Sequence, residues 1–128
     1  MSRKLFFIAA ALLFITSCQK SLEERAADDA SEYTRRECPR KIADNILQDS
    51  MAFDKDTKTI LYYYTLSGPL DNKQQLESRY DEYNRKFAEG IKSTPALKVY
   101  VDAGFGFSYV YRSEKTDSIL LQLNITNP

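Results

Sequence analysis

Thr59-Ile60-Leu61-Tyr62-Tyr63-Tyr64-Thr65-Leu66-Ser67 is almost wholly β-branched or aromatic, the composition that strands favour. Before it, Asp54-Lys55-Asp56-Thr57-Lys58 is a polar turn, and before that Leu47, Asp49, Met51 and Phe53 alternate with Gln48, Ser50 and Ala52. A period of two is a strand signal, so two runs joined by five polar residues predict a hairpin. The second half repeats the pattern. Phe105, Phe107, Tyr109 and Tyr111 fall on alternate positions and share one face of a strand. Ser113 to Asp117 is a polar turn, and Ile119, Leu121, Leu123 and Ile125 alternate through a final strand.

Helical signals fill the space between the hairpins. Ser67-Gly68-Pro69 ends the tyrosine-rich strand, and Asp71 is placed as an N-cap with Gln74 completing a capping box. The helix predicted over Asn72 to Ile91 has an apolar stripe of Leu76, Tyr80, Tyr83, Phe87 and Ile91. Thr94-Pro95 opens a shorter helix with Leu97, Tyr100 and Val101 inward, closed by Gly104. The expected fold is therefore α+β: a four-stranded antiparallel sheet of two hairpins, with one long and one short helix packed on one face.

The folded domain is expected over residues 37–128, beginning near Glu37-Cys38-Pro39, with Ile42 and Ile46 in an extended lead-in. Residues 18–36 are mostly charged or small, and Leu22, Ala26 and Ala30 make a thin apolar stripe, so a flexible tether is expected there. Upstream, Arg3 and Lys4 precede the apolar run Leu5 to Phe14, which is short for a membrane span of about 20 residues. Ile15-Thr16-Ser17-Cys18 follows, and residues 1–17 read as a secretory signal.

That tetrapeptide resembles the lipobox of bacterial lipoproteins. The resemblance implies cleavage before Cys18, a diacylglyceryl group on its thiol, and attachment of the chain to the membrane through that anchor. Gln19, where enterobacterial sorting would read an aspartate as retention, points by the same analogy to the outer membrane. Glu23-Glu24 and Asp28-Asp29 resemble the acidic residues of surface-exported lipoproteins, but lie further from the cysteine than in that pattern.

Without residues 1–17 the chain has 111 residues, enough for one domain with a core of its own. It then carries 16 basic and 18 acidic residues, a balance that gives no footprint for nucleic acid or for an anionic membrane surface. Two readings of Cys38 stand side by side: a small half-buried residue beside Pro39, or a partner in an intermolecular disulfide. A catalytic thiol is disfavoured because the chain has no histidine to serve as base.

The same absence removes the commonest metal ligand, and no metal or cofactor is expected. Asp54-x-Asp56 lacks the glycine and terminal glutamate of a calcium loop and reads as a hairpin turn. Gly104-x-Gly106 precedes a strand, so it is no dinucleotide fingerprint. Glu77 and Asp81 could pair for carboxylate hydrolysis only from the solvated side of the helix.

Nine tyrosines and seven phenylalanines remain to be placed. Tyr63, Tyr80, Tyr83, Tyr109 and Tyr111 are expected in the seam between helix and sheet, while Tyr62 and Tyr64, facing the other way, form the candidate binding surface for a protein or a glycan. Cys38-Pro39, Leu47 to Ser50, Leu61 to Leu66 and Gly104 to Arg112 together resemble a group of small bacterial envelope proteins, over residues 37–126. That resemblance supports the fold and supplies no functional residues. The expectation is a membrane-anchored envelope lipoprotein that binds or assists and has no catalytic role. The alternative is a small inhibitor or immunity-like protein of an envelope enzyme, and less favoured is a carboxylate-dependent hydrolase.

Overall fold

A helix opens the structure where a flexible tether is expected. The computed structural model describes residues 20–128, so the signal segment and Cys18 lie outside the described residues. Leu22–Glu37 form α1, 16 residues long, capped by Ser21, whose hydroxyl accepts the Glu24 N–H at 3.1 Å. Its stripe is thin, as the sequence shows, but thinness here permits close approach. Ala26 and Ala30 are buried to 2% and 1% exposure, and the helix backbone lies against the sheet with no large side chain between.

After α1 come β1 (Arg40–Ala43), β2 (Ile46–Asp54) and β3 (Thr59–Leu66). A 3-10 turn at Gly68–Leu70 leads to α2 (Lys73–Ser78) and α3 (Tyr80–Lys92). A second 3-10 turn at Pro95–Leu97 leads to α4 (Lys98–Asp102), and β4 (Gly106–Ser113) and β5 (Ile119–Ile125) complete the chain.

The fold is α+β, but the sheet has five strands and is mixed. The order is β1-β2-β3-β4-β5, antiparallel except between β3 and β4. β1 is the lead-in segment around Ile42, recruited as an edge strand. The parallel pair follows from the helices. α2 and α3 run the chain back along the sheet in one direction, so β4 starts beside the start of β3, Gly106 opposite Thr59. An all-antiparallel sheet would need β4 to start at the other end.

Where one helix is predicted from Asn72 to Ile91, the chain breaks at Arg79 (φ −112°, ψ 18°) into α2 and α3. The N-cap is Asn72, accepting the Gln75 N–H, rather than Asp71. Leu97, Tyr100 and Val101 turn inward and Gly104 takes φ +81°, both as expected. α1 and α3 cover one face of the sheet over a core that includes Ile60, Phe105, Phe107 and Ile125.

Candidate binding site

β3 pairs with β4 in unbroken parallel register, Tyr62 opposite Tyr109 and Tyr64 opposite Tyr111, so these four share one face. β2 carries a bulge between Gln48 and Ser50. The bulge puts Ile46 and Gln48 on the same side as Met51 and Phe53, and Tyr62 and Tyr64 stand opposite them on β3. That is the helix-covered side. Tyr62 stacks on Tyr109 with centroids 4.7 Å apart, and Tyr64 stacks on Tyr111 at 4.8 Å. Parallel register places these pairs side by side, and Phe87 of α3 meets Tyr109 edge-on at 4.7 Å.

The expected facing is therefore reversed. Tyr62 and Tyr64 are half-buried in the seam, while Tyr63 is on the helix-free face, beneath Arg112, whose guanidinium is 5.8 Å from the ring centroid. Tyr109, Tyr111 and Tyr83 do sit in the seam, but Tyr80 is exposed. Burial raises the Tyr62 and Tyr64 phenols to about 12, with neighbouring phenols adding to the effect. Tyr109 and Tyr111 are pushed up further for the same reason. The floor is uncharged at neutral pH.

Where this floor meets α2 and α3, at the Leu66 end of β3, an apolar cavity of about 200 Å3 opens. Tyr111, Leu121 and Leu123 form its base, Phe87 and Tyr83 one wall, and Leu70 and Leu76 its mouth. Leu70 is held there by two devices. Gly68 takes φ +54°, and a Cβ on it would fall 2.9 Å from Asn45 Oδ1, so only glycine fits. Asp71 Oδ2 accepts the Ser113 hydroxyl at 2.8 Å and the Lys115 N–H at 3.3 Å, tying the loop to the β4–β5 turn. Over the outer side, Arg79 lies 5.2 Å from the Tyr83 ring centroid and pairs with Glu82, whose carboxyl these bonds, with Lys86, hold down at about 2.

Of the residues singled out from the sequence, Tyr62 and Tyr64 back this floor, and Cys18 lies outside the described residues. Leu76, Tyr83 and Phe87 belong to the predicted helix stripe. Leu70 carries no signal, being a single apolar residue between Pro69 and Asp71, and Ile46 reads only as part of the extended lead-in, with nothing local to aim it at the cavity. Asp54 closes the β2–β3 turn by accepting the Asp56 N–H at 2.9 Å, the hairpin reading of that stretch. Glu77 and Asp81 are both exposed, Glu77 beside Lys73. Cys38 is half-buried, and its thiol is raised chiefly by that burial. Among the described residues no cluster of three metal-ligating side chains exists, and no helix is long and apolar enough to cross a membrane.

The chain belongs to the family described as Domain of unknown function DUF8479, whose model matches residues 21–121 and so includes α1. No protein of curated function matches it. Three solved structures share the fold. A candidate secreted protein of Pseudomonas aeruginosa is 13% identical, with a TM-score of 0.65 over 84% of this chain and 95% of its own. The pilotin EpsS of the Vibrio vulnificus type 2 secretion system is 12% identical, with a TM-score of 0.57 over 83% and 88%. The type II secretion pilotin AspS of Vibrio cholerae is 14% identical, with a TM-score of 0.54 over 83% and 89%.

Proposed function

We propose that this member of the DUF8479 family is a non-catalytic accessory lipoprotein of the cell envelope, anchored at Cys18 in the outer membrane. In this reading it holds an apolar segment of another envelope protein in the cavity beneath α2 and α3. The observation that carries the reading is the cavity itself: an apolar space of about 200 Å3 with a stacked, uncharged tyrosine floor. Such a space binds by burial and presents no acid, base or nucleophile to a substrate. Two of the fold's solved relatives are pilotins by description, which fits an accessory role.

The anchor and the cavity would sit at opposite poles. Leu22 packs on the core at the end of the sheet where Lys58 pairs with Glu23, whereas the cavity lies past Leu66. Eight residues of β3 separate the two, a distance of roughly 25 Å. A lipid on Cys18 would hold the first pole to the bilayer and leave the cavity facing outward to a partner.

Site-specific photocrosslinking in intact envelopes tests the reading. A photoreactive residue at Leu76, in the cavity mouth, is expected to yield one discrete protein adduct, and the same residue at Lys92 none. Absence of an adduct from Leu76 in a folded, membrane-attached protein would refute it. A tight one-to-one complex with an envelope enzyme that loses its activity would favour the inhibitor alternative.

A further inference from the structure

The Gly106 N–H donates to the Lys58 carbonyl at 2.9 Å, so Gly106, Ser108 and Val110 turn their backbone groups to β3. Phe107, Tyr109 and Tyr111 therefore turn theirs to β5, where Ile125, Leu123 and Leu121 stand opposite and complete the pairs. The N–H and C=O groups of Gln122 and Asn124 then point away from the sheet. β5 ends the strand order, and among the described residues no backbone or side chain bonds these groups, while both residues are exposed. We propose that an extended segment of the partner protein adds to this edge as a sixth strand, its alternate apolar side chains entering beside Leu121 and Leu123. The inference rests on the cavity reading and names the form in which the occupant arrives.

Charge is the first support. From Ser118 to Pro128 no side chain is charged, in a chain that is 28% charged. Proteins usually blunt an exposed edge with charge, proline or a very short strand, and β5 has seven residues and none of these. The other edge is defended. β1 is four residues long and carries Arg40 and Lys41, and α1 lies along β2 beyond it, Thr34 bonding both backbone groups of Met51. Continuity with the cavity is the second support. Leu121 and Leu123 line it, and α2, which carries Leu76 of its mouth, packs on β5. An added residue beside Leu121 or Leu123 falls on the helix-covered side, and one beside Gln122 or Asn124 on the other. The occupant is thus an uncharged segment of alternating apolar and polar residues, held by backbone bonds and selected by what enters the cavity.

β5 has that pattern itself, but a second copy fits less well. Cys18 is three positions before Ser21, whose helix starts at the Thr59 end of the sheet, where Glu23 pairs with Lys58. Antiparallel pairing of two β5 strands would point the two anchors in opposite directions along the strands, and one bilayer could not take both in that orientation. Parallel pairing about a two-fold axis would turn the second sheet over and set its polar face beside Leu121 and Leu123. A partner strand meets neither obstacle.

Amide hydrogen exchange of the full-length protein in lipid nanodiscs, followed by NMR, tests this. The probe is a synthetic peptide of alternating leucine and threonine with lysines at its ends. In the free protein the Leu121, Leu123 and Ile125 amides are expected to exchange slowly, and those of Gln122 and Asn124 fast. At about ten times its Kd the peptide is expected to slow Gln122 and Asn124 about tenfold and to shift the Leu76 and Phe87 signals. Asn124→Pro removes an outward N–H and leaves the pairing with β4. It is expected to weaken peptide binding about tenfold while the Leu123 amide stays slow. Equal binding by this variant and wild type overturns the proposal. Shifts at Leu76 and Phe87 without slowing at Gln122 and Asn124 would keep the cavity reading and overturn the strand. Neither shifts nor slowing would also overturn the strand, and crosslinking from Leu76 would then judge the cavity alone. Slowing that rises with protein concentration in the absence of peptide would make the occupant a second copy, and overturns the proposal too.

Discussion

Thr34 and Met51 are bonded twice: the Thr34 hydroxyl donates to the Met51 carbonyl at 2.8 Å and accepts the Met51 N–H at 2.9 Å. β1 pairs with β2 only as far as Gln48, so the edge of β2 beyond it has no neighbouring strand. One side chain of α1 takes the place of that strand, satisfying both peptide groups. Tyr33 adds a bond from its hydroxyl to Gln48 Oε1 at 2.7 Å. The helix is thereby part of the sheet's hydrogen-bond accounting. Thr34→Val keeps the shape and removes both bonds, and is expected to cost about 1–3 kcal/mol in urea unfolding. Thr34→Ser keeps the hydroxyl and should recover most of that loss. Equal stability of the valine variant and wild type would mean that water serves Met51 as well.

Stability at high pH follows from the tyrosine floor. In the unfolded chain Tyr62 and Tyr64 ionise near 10, and in the folded protein near 12. Below pH 10 both states are protonated and the full stability is present. Above it the unfolded chain loses protons that the folded chain keeps, so stability falls as pH rises from 10 to 12. The slope is at most about 1.4 kcal/mol per pH unit for each tyrosine. Denaturant titrations at stepped pH, with tyrosinate absorbance followed in parallel, should show that window. A flat profile to pH 12 would contradict the burial.

Gly68 is the cheapest handle on the cavity mouth. Its φ of +54° and the 2.9 Å approach to Asn45 mean that Gly68→Ala strains the backbone and displaces a neighbour. The expected cost is about 1–2 kcal/mol. Leu70 should move with the loop, so photocrosslinking from Leu76 should weaken in this variant while the circular dichroism of the sheet persists. Gly90→Ala, with open space around its position, serves as the control and should be neutral or slightly stabilising.

Much of the fold is legible in the chain because its patterns are local. The hairpin turns, the alternating aromatics of β4 and the inward triad Leu97, Tyr100 and Val101 each follow from period and capping alone. What escapes is set by distant partners. β1 is four exposed residues with no alternation and exists only because β2 is there to pair with. α1 hides because Ala26 and Ala30 lower its hydrophobic signal while improving its fit. The face of Tyr62 and Tyr64 is set by their register against Tyr109 and Tyr111 on β4, a distant strand, and a shift of one residue exchanges the two sides of a strand. Tyr62 and Tyr64 thus lie on the helix-covered side, the opposite of the expected facing.

The anchor is the last element to test, and the position of α1 makes the test specific. Ser21 caps the helix, so three residues at most lie between Cys18 and an element docked on the sheet. Acyl chains on Cys18 would therefore hold the domain close to the bilayer, where a flexible tether would have let it range. Cells fed an alkyne-bearing palmitate should label the full-length protein, and Cys18→Ala should abolish the label and release the protein from membranes. One acyl chain binds membranes only marginally and two or more hold firmly, so a wild-type protein that stays bound through high-salt washing is also expected. Loss of label together with unchanged, salt-resistant attachment in Cys18→Ala would show that something other than lipid on Cys18 holds the chain. If the label persists in Cys18→Ala and disappears in Cys38→Ala, acylation is at the half-buried thiol.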